Sequence, residues 1–91
     1  MTTVRISRGE YEHIIEAHGH TEPKVCHAVT ALLESLAGYL ENTDCEHSIF
    51  LNDGEARIAF DDCDEVFKFM EIAFGQIAMS FPDSMKLFNE N

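Results

Sequence analysis

The sequence predicts an α+β domain in which an antiparallel sheet packs against two helices, in the order ββαββα(β). Three observations predict this class: apolar and polar residues alternate near the N-terminus, two further apolar runs flank a short turn, and two longer segments carry apolar residues at helical spacing. A chain of 91 residues is large enough for one two-layer core, and small enough that a partner subunit would add useful burial. We therefore expect a single domain over residues 1–91.

The first two strands are predicted as a hairpin. Val4 and Ile6 alternate with polar residues, residues 8–10 (RGE) interrupt the run, and residues 11–18 (YEHIIEAH) resume an extended pattern.

The first helix is predicted at about 22–42. Its apolar residues recur at helical spacing over four turns: Val25, Ala28, Val29, Leu32, Leu33, Leu36, Ala37 and Leu40. Thr21 suits the N-cap, and Glu22 suits the first turn. Pro23 is tolerated there because its missing N–H would have had no helical partner.

A second hairpin is predicted next, because residues 47–51 (HSIFL) and 55–60 (EARIAF) flank Asn52-Asp53-Gly54, whose residue types accept a tight turn with positive φ.

The second helix follows an acidic cluster, Asp61, Asp62 and Asp64, which is placed to cap the helix and to complement its dipole. Residues 66–81 then carry apolar side chains on nearly every face, so this helix is expected to be buried on more than one side or shared with a second subunit. Residues 84–90 (SMKLFNE) are predicted as a last edge strand.

The charge of the chain limits its partners. Seventeen acidic residues against six basic ones give a net charge of −11, which opposes a phosphate backbone and favours basic peptides or proteins. We expect no direct nucleic-acid ligand. The N-terminus lacks the apolar core of a signal peptide, and no apolar run approaches membrane-spanning length, so we expect a cytoplasmic protein with no membrane partner.

The three cysteines, Cys26, Cys45 and Cys63, are widely spaced with no C-x-x-C. Neither a disulfide framework nor a zinc ribbon is suggested, and free thiols are expected. Cys45 and Cys63 are interpreted as structural or incidental thiols. His13 and His47 are expected on strand surfaces, solvated or hydrogen-bonded.

Residues 17–29 (AHGHTEPKVCHAV) concentrate three histidines and a cysteine. Cys26 comes at the end of the first helical turn, where the positive end of the helix favours a thiolate, and His20 lies just before the cap, within reach as a general base. On spacing alone, a small core residue is the favoured role for Cys26. The helix start, the nearby histidine and a helix that can fill the core without Cys26 reduce that preference.

A zinc site is the third alternative for this stretch, with His18, His20, Cys26 and His27 as ligands. Its geometry is awkward, because Cys26 and His27 leave a helix about 100° apart.

Residues 19–21 (GHT) and 25–32 (VCHAVTAL) resemble the Gly-His-Ala and Val-Cys-Ala-Ala-Val-Ser-Ala-Leu signature of the ribosomal-processing cysteine protease family, called Prp or YsxB-like, found in bacteria and their phages. The order of elements fits that family over nearly the whole chain. The segment between His20 and Cys26 has only five residues, so the resemblance is to a short-loop member. Pro23 stands where the family has an acidic residue, and His27 where it has a small one.

The resemblance implies a homodimeric cysteine endopeptidase that removes an N-terminal extension from a ribosomal protein, or from a virion protein in phages. Cys26 matches the nucleophile and His20 the catalytic histidine. Gly19 matches the glycine before that histidine, and Thr30 takes the place of the family's serine. No cofactor or metal is expected for this chemistry. A second hypothesis is an inactive homologue whose acidic surface binds a basic protein.

Overall fold

The structure, a computed structural model, describes residues 1–90 and contains five strands and two helices. In chain order these are β1 (Thr2–Arg8), β2 (His13–His18), α1 (Pro23–Glu41), β3 (His47–Asn52), β4 (Glu55–Phe60), α2 (Asp64–Ser80) and β5 (Met85–Asn89). The predicted α+β class and the order of elements are confirmed.

One five-stranded sheet has the order β3-β4-β2-β1-β5. The predicted hairpins β1–β2 and β3–β4 are both present, and β2 also pairs antiparallel with β4. The last strand takes the edge position that the sequence predicts, but it runs parallel to β1. It can do so because α2 connects β4 to β5 and carries the chain across the sheet to the edge beside β1.

The core lies between one face of the sheet and the two helices. Alternate strand residues point into it, as the period of two requires. Both helices contribute through one stripe each. Its largest fully buried side chains are Phe60, Phe67, Phe74, Ile6, Ile15, Leu36, Leu40, Ile58, Met85, Val4 and Val25.

The helix starts differ from the predicted caps. Glu22 rather than Thr21 is the N-cap of α1, Pro23 follows it, and no side chain accepts a capping hydrogen bond at that end. At α2 the N-cap is Cys63, and no acidic side chain accepts a capping hydrogen bond. Asp62 and Cys63 both adopt left-handed backbone, with φ of 57° and 54°, so the chain turns sharply into α2.

The expectation of three free thiols is wrong. Cys45 and Cys63 form a disulfide, and Cys26 alone is free among residues 1–90. The β3–β4 hairpin explains the pairing: His47 lies opposite Phe60, and the N–H of Asp61 donates to the carbonyl of Glu46 at 2.9 Å. The two ends of the hairpin therefore bring Cys45 and Cys63 together, although 18 residues separate them in sequence.

The two strand histidines have different environments. His47 is exposed, as predicted, with its Nδ1 2.8 Å from the carbonyl oxygen of Cys45. His13 is buried rather than on the surface, because its ring stacks on Phe67 and its Nε2 lies 2.7 Å from a carboxylate oxygen of Asp64. Neither α1 nor α2 is long and apolar enough to cross a membrane, which holds for the whole described chain.

Candidate active site

Cys26 is in the first turn of α1, outside the core cluster. Its neighbours Val25 and Val29 are buried at 0% and 5% exposure, whereas Cys26 is only half-buried and does not belong to the core cluster. The helical stripe of valines and leucines fills the core without it. The role of Cys26 as a small core residue is therefore not supported.

The backbone of Thr21 makes two hydrogen bonds with the sulfur of Cys26. The Thr21 N–H donates to Sγ at 3.3 Å, and the thiol donates to the Thr21 carbonyl oxygen at 3.4 Å. The N–H groups of Val25 and Cys26 both donate to the carbonyl of Glu22 at 3.1 Å. The N–H that the structure brings to the sulfur is thus that of Thr21, before the helix.

His20 is exposed, and backbone contacts on both sides hold its segment in place. The terminal nitrogen of Met1 donates to the His20 carbonyl at 2.8 Å, and the N–H of Gly19 donates to the carbonyl of Gly54 at 2.9 Å. Gly19 has φ of +92°, and a Cβ there would overlap the carbonyl oxygen of Met1. Both the positive φ and the close approach of Met1 require a glycine at position 19.

A cavity of about 80 Å³ contains His20 and Cys26 in its wall, together with Thr30 and the β3–β4 turn. Within residues 1–90 no hydrogen bond joins the His20 ring to the Cys26 thiol, which is paired with Thr21 instead. The cavity thus brings the two predicted catalytic residues to one place without a closed hydrogen bond between them.

His18 also lines this cavity, 4.0 Å from carboxylate oxygens of Glu16 and Glu55. His27 is exposed and lies outside the cavity wall, so the four ligands of the zinc alternative do not converge. Over the described chain, no three His, Cys, Asp or Glu side chains are grouped so that they could hold a metal ion.

Gly54 is a site residue that the sequence analysis identified only as part of a turn. It has φ of +78°, and a Cβ there would lie 2.6 Å from Nε2 of His20. Its positive φ could be predicted from the Asn-Asp-Gly sequence, but its contact with His20 could not. That contact exists because β4 pairs with β2, which places the β3–β4 turn beside the end of β2.

A second cavity, of about 360 Å³, adjoins the first and runs between α1 and the β3–β4 hairpin. Both cavities share six wall residues: Thr30, Leu33, Asn52, Asp53, Gly54 and Ala56. The two spaces therefore form one groove, which begins at Cys26 and His20 and opens toward Glu34 and Leu51.

Comparison with known proteins gives a match by structure only. No protein-family profile matches the sequence, and no curated protein matches it. The ribosomal processing protease Prp from S. aureus, in complex with a covalently linked product peptide, superposes with a TM-score of 0.80 at 22% identity, covering 99% of this chain and 100% of that chain.

Two further structures agree. Prp from S. aureus in complex with a substrate peptide gives a TM-score of 0.77 at 22% identity, with 99% of this chain and 100% of that chain covered. The protein SMU.848 from Streptococcus mutans gives 0.79 at 21% identity, covering 99% and 97% of the two chains. The family resemblance found in the sequence is thus confirmed at the level of the fold: the chain has the fold of the ribosomal processing protease Prp over 99% of its length.

Proposed function

We propose that this protein is a cysteine endopeptidase in which Cys26 is the nucleophile and His20 the general base. The observation that carries the proposal is that these two residues line one cavity, in a chain with the fold of a protease solved with bound peptides. A half-buried thiol at a helix start, outside the core, is the kind of cysteine that is available for chemistry.

The Thr21 N–H has a defined part in this proposal. It already donates to Sγ, so it would stabilise the thiolate that forms when the proton leaves. The thiol proton now points to the Thr21 carbonyl and has to transfer to His20 instead. Catalysis therefore requires the His20 ring to approach Sγ within hydrogen-bond distance, a movement that is open to an exposed side chain.

The proposed reaction has two halves. His20 takes the Cys26 proton, the thiolate attacks the scissile carbonyl, and the imidazolium returns the proton to the departing amine, leaving a thioester on Cys26. Water then gives a proton to His20 and its hydroxyl to the thioester carbon, the C–S bond breaks, and the imidazolium returns the proton to the departing sulfur. This releases the carboxylic acid and restores the Cys26 thiol and the neutral His20. Once the sulfur has bonded to the carbonyl carbon it no longer carries the negative charge, so the Thr21 N–H is free to donate to the oxyanion instead. It is the proposed oxyanion donor, because the Val25 and Cys26 N–H groups stay paired with the Glu22 carbonyl.

The proposed substrate is a protein precursor, either a ribosomal protein with an N-terminal extension or a virion protein, and the proposed location is the cytoplasm. The support is the fold shared with a ribosomal processing protease. A net charge of −11 also favours basic protein substrates.

A non-catalytic binding module is the second candidate. It is favoured by one observation, the pairing of the Cys26 thiol with the Thr21 backbone rather than with His20. In this candidate the groove binds a basic protein segment and leaves it intact.

Incubation with ribosomal and capsid precursors, followed by intact-mass measurement, tests the peptidase. We expect one N-terminal cleavage by the parent protein and none by Cys26→Ala or His20→Ala, with all three folded by circular dichroism. Undiminished cleavage by either variant would rule out the dyad. Binding of a precursor without cleavage would favour the second candidate.

Thiol alkylation separates the two candidates without a substrate. The peptidase requires Cys26 to react with iodoacetamide at pH 6 faster than glutathione does, and His20→Ala to react more slowly than the parent. Labelling that becomes appreciable only above about pH 8, with no effect of His20→Ala, would support the binding module.

A further inference from the structure

We propose that the groove beyond Cys26 selects a positively charged substrate side chain, with Glu34 and Asp53 as the specificity-determining residues. The proposal rests on the proposed peptidase function and adds to it a substrate class, a segment that places Lys or Arg beside an apolar residue.

The groove has two chemically different parts. Its inner wall is apolar, since Leu33 and Ala56 are buried at 5% exposure each and Leu51 lies at the mouth. Glu34 and Asp53 are exposed and line opposite walls, one on α1 and the other in the β3–β4 turn. This pattern fits an apolar side chain inside and a charged one at the mouth.

The two carboxylates have no basic counterpart in the second cavity. No Lys, Arg or His lines that cavity, and the two histidines of the groove, His18 and His20, line the first cavity beside Cys26. Within residues 1–90 neither Glu34 nor Asp53 takes part in an ion pair. Two negative charges face one space without neutralisation, so a substrate cation there would be attracted by both.

The distance between Cys26 and Glu34 determines which substrate residue the two carboxylates contact. Glu34 follows Cys26 by eight helical positions on α1, which places it about 12 Å farther along the helix. An extended peptide advances about 3.3 Å per residue, so the selected cation is the third or fourth residue from the scissile bond.

Peptide selection by an inactive protein tests the proposal without cleavage. The immobilised Cys26→Ala protein is exposed to a random library of ten-residue peptides, and the bound sequences are read by mass spectrometry. We expect Lys and Arg to be enriched beside an apolar residue, with the enrichment about fivefold lower when Glu34→Gln and Asp53→Asn are added. Glu34→Lys with Asp53→Lys should enrich Glu and Asp instead.

A matched control separates the groove from the net charge of the chain. Glu41→Gln removes one carboxylate from α1 outside both cavities, as Glu34→Gln alone does within the groove, and unlike Glu34→Gln it should leave the selection unchanged. Equal Lys and Arg enrichment with and without the groove carboxylates, or an equal loss with Glu41→Gln, would overturn the proposal. Each variant is first shown to be folded by its circular dichroism spectrum and thermal midpoint.

Failure of this proposal and failure of the peptidase can be told apart. If Cys26→Ala binds peptides with charge selectivity but the parent protein cleaves nothing, the proposed role of the groove stands and the proposed peptidase function is rejected. If cleavage is unchanged by Glu34→Gln with Asp53→Asn, the proposed peptidase function stands and the proposed role of the groove in selectivity is rejected. For an active parent, cleavage of peptides with Lys moved one position at a time should peak three or four residues from the cut.

Discussion

Gly54 lies against the imidazole of His20, so that a Cβ at position 54 would come within 2.6 Å of Nε2. Glycine meets two requirements at once: it accepts φ of +78° in the turn, and it leaves room for the His20 ring. The turn of the second hairpin therefore forms part of the wall that positions the proposed general base.

We predict that Gly54→Ala lowers peptidase activity about 100-fold, because a displacement of the base by about 1 Å has effects of that size. Gly54→Asn should give a similar loss, since asparagine tolerates the positive φ but still brings a side chain to His20. Gly38→Ala is the control: a Cβ there meets nothing within 4 Å, and the helix should gain about 0.5–1 kcal/mol. Full activity in a folded Gly54→Ala protein would contradict the positioning role.

The Cys45–Cys63 disulfide closes the second hairpin at its base. Because it links residues 18 apart in sequence, we predict that it contributes about 3 kcal/mol to the free energy of unfolding. The urea midpoint of the parent should fall on addition of dithiothreitol, while that of Cys45→Ser with Cys63→Ser should not change. Peptidase activity should survive both substitutions, since the disulfide lies outside the cavity wall. If the urea midpoint of the parent is the same with and without dithiothreitol, the disulfide adds no stability.

His13 anchors the start of α2 to β2. Its ring stacks on Phe67 with centroids 4.2 Å apart, contacts Phe60, and pairs through Nε2 with Asp64 at 2.7 Å. We predict that His13→Ala lowers the free energy of unfolding by about 2–3 kcal/mol, because it leaves a cavity between two aromatic rings. Urea denaturation measures this. The exposed His27 is the control, and His27→Ala should change stability by less than about 0.5 kcal/mol.

The second helix divides its apolar residues between two faces. Phe67, Met70 and Phe74 are buried in the core, so only part of the apolar surface expected to be shared with a subunit is available. Phe69 and Ile72 are exposed at 61% and 56%, with Met79 exposed two turns farther along. They are a candidate surface for the homodimer that the resemblance implies.

We predict a two-fold dimer at high micromolar concentration, measured by light scattering, and its dissociation when Phe69→Ser and Ile72→Ser are combined. Their loss would remove apolar contacts from the interface without touching the core. Lys68→Ser, at an exposed neighbouring position, should leave the dimer intact. A monomeric parent, or a double variant that remains dimeric, would exclude this surface.

The amino-acid sequence determined the elements of this protein and their order. Local conformation is predicted by three patterns: the alternation of apolar and polar residues in the strands, the helical spacing from Val25 to Leu40, and the Asn52–Gly54 turn. Each pattern is visible within a window of a few residues. The candidate pair His20 and Cys26 was found in the same way, because its two members are six residues apart on either side of a helix start.

Tertiary structure decided whatever depends on residues that are distant in the chain. The Cys45–Cys63 disulfide depends on the β3–β4 hairpin, because a hairpin centred on residues 53 and 54 brings positions 45 and 63 to its base. The contact of Gly54 with His20 has no such local signal. It requires β4 to pair with β2. That pairing depends on which strands bury their apolar faces together in the core, and no short stretch of sequence specifies it.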